Sequence, residues 1–325
     1  LSKKEKKIFL NKLKKLTINF LDENNNSSLT NVKKQIIKLD ELFNNYNKKD
    51  IKQIPEIISF CKNLGTLNFS ILARHGFVAV SFLNSLKTKK IFTEFEIEKF
   101  EQSLNTITKK MLIDLSLVEN KKISSKEFMV KYGHLRPGSY DINSTRYDQI
   151  RNFNFKAQNL KKTIINFKPT KKQHNELNEL IKKEGLLNHD SKSFLKYLSD
   201  AICLREYSKF IFTKYLSLVL EIIANFGKKK NLQRKDLAYL NINIFLDNKN
   251  LKNLSNLHDI IKINKNNYEK NKLIKLPLII PDVSRTRVIP YQISSPNFIT
   301  HKKTNGLVIL NPDIKKTKNL NKKIV

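Results

Sequence analysis

Apolar residues recur at helical spacing through most of the first 130 positions. Phe9, Leu13, Leu16 and Phe20 are separated by four, three and four residues, and similar steps connect the apolar residues of 32–43. Such spacing places the apolar side chains on one face of an α-helix. The pattern predicts two amphipathic helices at the start of the chain, joined by a polar turn.

Later helix starts are marked by capping boxes, in which a Ser or Thr and a Glu or Gln three residues on satisfy each other's backbone N–H groups. Three boxes occur, at Thr93–Glu96, Ser124–Glu127 and Thr170–Gln173. The first predicts a helix whose core face runs from Leu104 to Val118. Between the first two helices and this box, Ile51 to Lys87 is expected to form one long helix or two.

The second half contains the longest apolar stretch. It predicts a helix from about Asp190 to Phe226 that ends at Gly227, a residue type favoured just beyond helix ends. Two more helices are expected over 234–246 and 251–273. Residues 132–169 lack a clear period, and an irregular segment of that length inside a helical domain is often functional.

The pattern changes near Pro277, because four prolines between 277 and 296 interrupt any helix. Short runs at 297–300, 306–310 and 323–325 resemble strands. We therefore expect a mainly α fold: a multi-helix, bundle-like domain with a long functional loop, ending in a short β-containing segment. The expected divisions are a helical domain over 1–276, a linker over 277–296, and the start of another domain over 297–325.

Composition restricts the classes of protein. With two cysteines, neither a disulfide framework nor a thiolate zinc cluster is expected. The lysine-rich start lacks the apolar core of a signal peptide, and no run approaches the roughly 20 apolar residues of a membrane span. The chain begins without Met and stops on an apolar run, so we expect an internal piece of a longer cytoplasmic protein.

The net charge of +33 raises the possibility of nucleic-acid binding. However, only eight of the 62 basic residues are arginine, whose planar fork recognises bases and phosphates. Lysine, asparagine and isoleucine are all abundant, which is typical of an AT-rich gene. We favour compositional bias, and we expect that each arginine retained in such a chain does something that lysine cannot.

The densest group of chemically active side chains lies in the irregular segment. Two glycines and a proline fix the backbone near its start, and the side chains carried there are His134, Arg136, Asp141, Arg146 and Asp148. Arginine, histidine and exposed amides suit a phosphate-like anion. The alternative is a rigid loop whose Arg–Asp pairs hold neighbouring helices together.

Two further groups lie in apolar helices. Arg205 and Lys209 are four residues apart and share a helix face, and Glu206 is offset by about 100°. Charges in a buried helix must be paired or face a cavity. Arg74 and His75 precede Gly76, where a ligand or another backbone can approach closely. In both places the structural alternative is an ion-pair network or plain helix packing.

These residues match a known pattern. Tyr132-Gly-His-Leu-Arg-Pro-Gly-Ser-Tyr-Asp-Ile142, with Arg146-Tyr-Asp148 after it, resembles the Y-G-H-x-x-P-G-x-x-D motif of phosphoenolpyruvate-synthase-like proteins, which include the rifampicin phosphotransferases. Ala73-Arg-His75 and Leu204-Arg-Glu206 with Lys209-Phe210 resemble two other stretches of the same central region. The resemblance spans about residues 1–295.

The resemblance implies a three-part, ATP-dependent enzyme. An ATP-grasp domain loads phosphate onto a histidine, a swivelling domain carries that histidine, and a third region receives the phosphate. This chain resembles the central helical region, with 297–325 as the start of the swivelling domain. His134 is then not the phosphocarrier. ATP and Mg are expected to bind a domain not present here, with no metal and no cofactor in this piece.

The expected function is therefore the substrate-receiving helical domain of a phosphotransferase of the kinase or dikinase type. In this interpretation His134, Arg136 and Arg146 are catalytic contacts to the phosphoryl group or its acceptor. The expected substrate-binding residues are Arg74, His75, Asp141, Arg205, Glu206 and Lys209. The expected partners are the ATP-grasp and swivelling domains of the same polypeptide and a small-molecule acceptor, with neither membrane nor nucleic acid. The alternatives are a basic helical nucleic-acid-binding protein and a non-catalytic helical scaffold.

The charge hypothesis gives a first testable prediction. If the excess of lysine is compositional, binding to DNA or RNA is weak, with a Kd of roughly 10⁻⁴–10⁻⁶ M at physiological salt, and the affinity falls steeply as the salt concentration rises. Fluorescence anisotropy with two unrelated duplexes measures both affinity and selectivity. Nanomolar binding to one duplex alone would contradict the hypothesis.

Overall fold

The structure is a computed structural model that describes residues 2–21, 28–43, 50–155, 166–186, 189–246 and 256–275, together with the pairs 289–290, 307–308 and 323–324. The described part is mainly helical, as the sequence pattern predicts. Its helices are α1 (Lys3–Leu21), α2 (Ser28–Phe43), α3 (Ile54–Phe60), α4 (Leu67–Thr88), α5 (Glu94–Ser103), α6 (Ile107–Glu119), α7 (Ser125–Tyr132), α8 (Lys171–Lys183), α9 (Ser191–Lys229), α10 (Arg234–Leu237), α11 (Asn243–Leu246) and α12 (Leu257–Lys272).

All three capping boxes begin helices. The Thr93 hydroxyl accepts from the backbone N–H of Glu96, and the carboxylate of Glu96 accepts from the N–H of Thr93 at 2.8 Å. Ser124 with Glu127 at the start of α7 and Thr170 with Gln173 at the start of α8 repeat the arrangement. These predictions are confirmed because a box involves only residues three positions apart.

The predicted single helix beyond Thr93 is wrong. It divides into α5 and α6, since Leu104 is extended (φ −63°, ψ 138°) and Thr106 begins α6 as a new cap for the N–H of Lys109. By contrast, 51–88 stays helical throughout, through a 3₁₀ turn (Ile51–Gln53), α3, a π-helical turn (Cys61–Thr66) and α4.

The predicted end of the long helix is also wrong. Gly227 lies inside α9, which continues to Lys229. A Cβ at Gly227 would lie 2.6 Å from Cδ1 of Leu237, so this glycine allows α10 to approach α9. The helix predicted over 234–246 is likewise two short ones, α10 and α11.

The core is organised around α9, which is 39 residues long. It packs against α2, α3 and α4, and also against α8. Buried apolar residues form two clusters, one around the middle and end of α9 and one around its beginning. The π-helical turn fits closely against α9, because a Cβ at Gly65 would lie 2.7 Å from Cβ of Phe212.

Two helical stretches, Ile51–Thr88 and Ser191–Lys229, are long and apolar enough to meet the criterion for a membrane span. A core helix of a water-soluble protein meets the same criterion. In the second stretch, 72 % of the most apolar window is buried inside the protein.

The chain divides into two compact units, Leu1–Lys262 and Ile263–Val325. In the second unit β1 (Ile274–Lys275) pairs antiparallel with β2 (Ile289–Pro290), and β3 (Leu307–Val308) pairs parallel with β4 (Lys323–Ile324). The strands β3 and β4 fall within the predicted runs 306–310 and 323–325. The predicted run 297–300, and the predicted linker 277–296 apart from β2, lie outside the described residues.

Candidate functional site

Residues 133–150 form a loop after α7 that folds around the buried guanidinium of Arg136. Nη1 of Arg136 donates to the backbone carbonyls of Ser144 at 3.1 Å and Asp141 at 3.4 Å, so it binds the far part of its own loop. Gly138 N–H donates to the Ser144 hydroxyl at 2.9 Å, which closes the turn from the other side. The loop is therefore an ordered structure built around one arginine.

A single carboxylate on α9 anchors this loop. Nη2 of Arg136 lies 3.0 Å from Oε1 of Glu221, and Nη2 of Arg234, at the start of α10, lies 2.8–2.9 Å from both Glu221 oxygens. Gln149 from the end of the loop donates to Oε2 at 2.8 Å. Arg234 also donates to the carbonyl of Ile142 at 3.0 Å. Glu221 thus connects α9, α10 and both ends of the loop.

The central ion pair of this network is buried, whereas Arg234 and Gln149 reach the surface. The side chains of Arg136 and Glu221 are 1 % and 6 % exposed, so their charges depend on each other. Burial alone raises the pKa of a carboxyl group, yet the pKa of Glu221 is lowered. The hydrogen bonds and charge of Arg234, together with those from Gln149 and Arg136, outweigh the burial. The carboxylate is therefore ionised at neutral pH.

His134 lies beside this network as a buried, uncharged ring. Its Nε2 is 3.3 Å from the carbonyl of Phe210, which requires Nε2 to carry the proton and donate it. Its own carbonyl accepts from the Ser217 hydroxyl at 2.8 Å. Burial, with a smaller contribution from the positive charge of Lys214, lowers the pKa of His134 to about 3.

The other charged residues of the loop lie nearer the surface. Arg146 forms a two-pronged ion pair with Asp148 at 2.9 and 2.6 Å, and its side chain is 17 % exposed. The Asp141 carboxylate is exposed and accepts from the N–H of Asn143 at 2.9 Å. Both pairs are local and hold turns.

The loop meets the second predicted group at a cleft of about 240 Å³. Tyr132, Leu135 and Ser139 form the loop side, and Glu206 and Lys209 belong to the α9 side. The remaining lining residues come from α6 and α9: Ile107, Thr108, Met111, Phe210 and Thr213. Two stretches that are about 70 positions apart in sequence therefore form one concave surface.

The two charged residues of the cleft are at least partly exposed, whereas Tyr132 and Thr213 are buried. Oε2 of Glu206 accepts from the Thr108 hydroxyl at 3.2 Å, and Lys209 is exposed. The floor includes Tyr132, whose hydroxyl donates to Asp114 at 2.7 Å. Burial and the bond to Asp114 raise the pKa of Tyr132 to about 12, so this phenol stays protonated. The cleft offers a cation, a carboxylate and hydroxyls around an apolar floor.

Several predicted site residues lie elsewhere. His134, Arg136, Asp141, Arg146 and Arg205 do not line the cleft. Arg205 is half-buried with its side chain against Gly76, where a Cβ would lie 3.1 Å from Cδ of the arginine.

The Arg74–His75 pair is also separate from the cleft. His75 is fully buried and contacts the Tyr197 hydroxyl at 2.9 Å and the Ser28 hydroxyl at 3.1 Å. Burial lowers its pKa to about 4. Arg74, at the preceding position of α4, is exposed.

Sequence reasoning missed the partners of the loop. In the sequence, Ser217 and Glu221 appear only as interruptions of an otherwise apolar run over 215–226. Their spacing of four, extended backwards to Thr213, places three polar groups on one face of α9, and this face receives the loop. A polar stripe in an otherwise buried helix is the signal that identifies them.

Comparison with known proteins adds no family. No protein-family model matches the chain, and neither a curated protein nor a solved structure matches it. Across the described residues, no group of three or more His, Cys, Asp or Glu side chains is arranged to hold a metal ion.

Breaking the buried network is expected to destabilise the fold strongly. Glu221→Gln keeps the shape of the side chain but leaves Arg136 without a counter-ion, which costs about 3–5 kcal/mol in comparable buried pairs. Urea denaturation followed by circular dichroism measures the free energy of unfolding. The matched control is Glu94→Gln, which breaks an exposed pair with Lys87 and should cost less than about 1 kcal/mol. Equal losses in the two variants would contradict the anchoring role of Glu221.

The two buried histidines predict a loss of stability in mild acid. Their pKa values in the folded protein, about 3 for His134 and about 4 for His75, lie below the unfolded value of about 6.5. The unfolded chain then binds more protons, so stability is complete above about pH 6.5 and falls as the pH decreases towards the folded values. Each histidine contributes a slope of up to about 1.4 kcal/mol per pH unit. Urea titrations between these limits should show a flatter profile for His134→Gln and for His75→Gln; an unchanged slope in both would be contrary to this account.

Proposed function

We propose that the chain is the substrate-receiving helical domain of an ATP-dependent phosphotransferase that works through a phosphohistidine carried on a neighbouring domain. One observation carries the proposal. The cleft joins the loop motif, through Tyr132, Leu135 and Ser139, with the α9 stretch that contains Glu206 and Lys209. These are two of the three stretches that resemble phosphoenolpyruvate-synthase-like proteins.

The polar groups of the cleft suit phosphoryl transfer to a small acceptor. Lys209 supplies a solvent-exposed positive charge at the cleft for the phosphoryl oxygens, on which charge develops during transfer. Glu206 is held by Thr108 through Oε2, so Oε1 is available to orient an acceptor hydroxyl and take its proton. The apolar floor favours an acceptor that is only partly polar. The volume of about 240 Å³ suits a small molecule, below the usual range for drug-sized ligands.

The buried charges of the loop take a supporting role in this proposal. Arg136 and His134 fix the part of the loop that carries Leu135 and Ser139, so they position these two lining residues without contacting the cleft themselves. That His134, Arg136 and Arg146 contact the phosphoryl group stays a prediction from sequence, as do the roles of Arg74, His75, Asp141 and Arg205. ATP and Mg belong to the loading domain, and a cytoplasmic location follows from the class of enzyme proposed.

A specific observation also favours a purely structural role for the loop. Arg136 and Arg234 both pair with Glu221 within the protein, as a scaffold requires, although Nε of Arg136 is buried with no hydrogen-bond partner among the described residues. On that hypothesis Lys209 and Glu206 are ordinary surface residues, and no substitution of them affects any activity. The two hypotheses therefore differ in what they predict for the cleft, not for the buried network.

Substitution of Lys209 tests the phosphotransferase proposal. In the complete polypeptide supplied with ATP and Mg, Lys209→Gln should reduce transfer to small-molecule acceptors by about 10²–10³, the usual effect of removing one preorganised electrostatic group. Formation of phosphohistidine should be unchanged, because that step occurs on other domains. Mass spectrometry of a metabolite mixture incubated with each enzyme measures transfer, and acid-labile ³²P measures loading.

The matched control is Lys196→Gln, an exposed lysine on the same helix that does not line the cleft. Equal transfer by Lys209→Gln, Lys196→Gln and wild type would favour the scaffold hypothesis. Absence of phosphohistidine in the wild-type polypeptide would reject the proposed class of enzyme altogether.

A further inference from the structure

The first compact unit contains a groove of about 460 Å³ that is separate from the cleft. It lies between α1, α4, α8 and the first turn of α9. Its lining residues are Leu10, Leu13, Lys14, Thr17, Phe82, Ser85, Leu86, Lys89, Leu177, Leu180, Ile181, Glu184, Leu186 and Phe194. None of them lines the cleft, so the groove is a different place on the protein.

The groove exists because α1 stands away from the helices beside it. Leu21, at the very end of α1, is its one buried residue among those described, whereas Leu10 and Leu13 remain 59 % and 46 % exposed. These two leucines line the groove together with Leu180 and Phe194. Apolar walls that stay in water are unfavourable, and an apolar occupant removes that surface from solvent.

The charged lining residues are two lysines and one glutamate, Lys14, Lys89 and Glu184. Among the described residues neither lysine forms an ion pair, and both are exposed. Nζ of Lys14 lies beside the turn that ends α8, 3.9 Å from the position of a Cβ on Gly185. The groove therefore combines apolar walls with two unpaired cations.

We propose that this groove binds an anionic amphiphile with a single hydrocarbon chain, such as a fatty carboxylate. The hydrocarbon chain lies between Leu10, Leu13, Leu180 and Phe194, and the anionic head pairs with Lys14 or Lys89. The volume falls within the usual range of about 300–1,000 Å³ for small-molecule sites. The excess of positive charge selects an anion over a cationic or neutral head. The proposal does not depend on the function of the cleft.

Isothermal titration of the 325-residue chain with octanoate, decanoate and dodecanoate tests it. Each added methylene buried in the groove should tighten binding by about fourfold. Dodecyltrimethylammonium has a similar hydrocarbon chain and the opposite charge, and it should bind more weakly than dodecanoate. Equal or tighter binding of the cation would overturn the choice of head group, and the absence of saturable binding for all three carboxylates would overturn the site.

Variants locate the binding. Lys14→Glu combined with Lys89→Glu should weaken dodecanoate binding by about tenfold, since two exposed attractions become repulsions. Lys12→Glu combined with Lys182→Glu makes the same change in net charge on exposed lysines outside the groove, and should leave binding nearly unchanged. Equal weakening by both double variants would show that dodecanoate binds the general positive charge of the protein and not the groove.

A third variant separates filling of the groove from charge. Ser85 is an exposed lining residue, so Ser85→Trp places a large ring in the groove while circular dichroism verifies the fold. Binding of dodecanoate should be lost. Sedimentation velocity tests whether a second copy of the chain occupies the groove instead. If the wild type forms a dimer that Ser85→Trp dissociates, and the wild type does not bind dodecanoate, the occupant is a second copy of the chain and the amphiphile proposal is wrong.

Discussion

The carboxylate of Glu221 is the constraint on which the loop depends. It accepts from Arg136, Arg234 and Gln149, and the two arginines in turn bind three carbonyls of the loop. A buried charge cannot shift by a helical turn without losing partners that water does not replace. The network therefore fixes where the loop lies along α9. The same network therefore fixes the position of the residues on the outer side of the loop, including Ser139.

Sequence alone predicts the helical content and the helix starts well, because these depend on neighbouring residues. The capping boxes at Thr93, Ser124 and Thr170 satisfy their own backbone groups without any distant contact. Helix ends were predicted poorly. Gly227 favours termination in isolation, but packing of Leu237 against it keeps the glycine inside α9. The division between α5 and α6 occurs where Leu104 is extended and Thr106 caps α6; Thr106 has Lys109 and not Glu or Gln three residues on, so no capping box marks this helix start.

The candidate site was half predictable. The loop was identified by its glycines, proline and concentrated charge, and Lys209 with Glu206 by charge in an apolar helix. The anchor was not, since Glu221 lies 85 positions from Arg136 and shows only as a polar interruption of an apolar run. The scarcity of arginine was informative. Arg136 and Arg234 each contact several acceptors at once, and the compact ammonium group of a lysine does not span that geometry.

The abundance of lysine also limits how this chain can select a ligand. A net charge of +33 attracts any anion to the surface, but at physiological salt such attraction is screened beyond about 8 Å. Selectivity must then come from a cation held next to a rigid, partly apolar wall, where shape and desolvation act together with charge. Lys209 beside Leu135 meets this condition because Glu221 immobilises the wall. Lys14 beside Leu13 meets it more loosely, since α1 is buried only at Leu21. The first arrangement suits a reaction that requires fixed geometry, and the second suits binding of a flexible hydrocarbon chain.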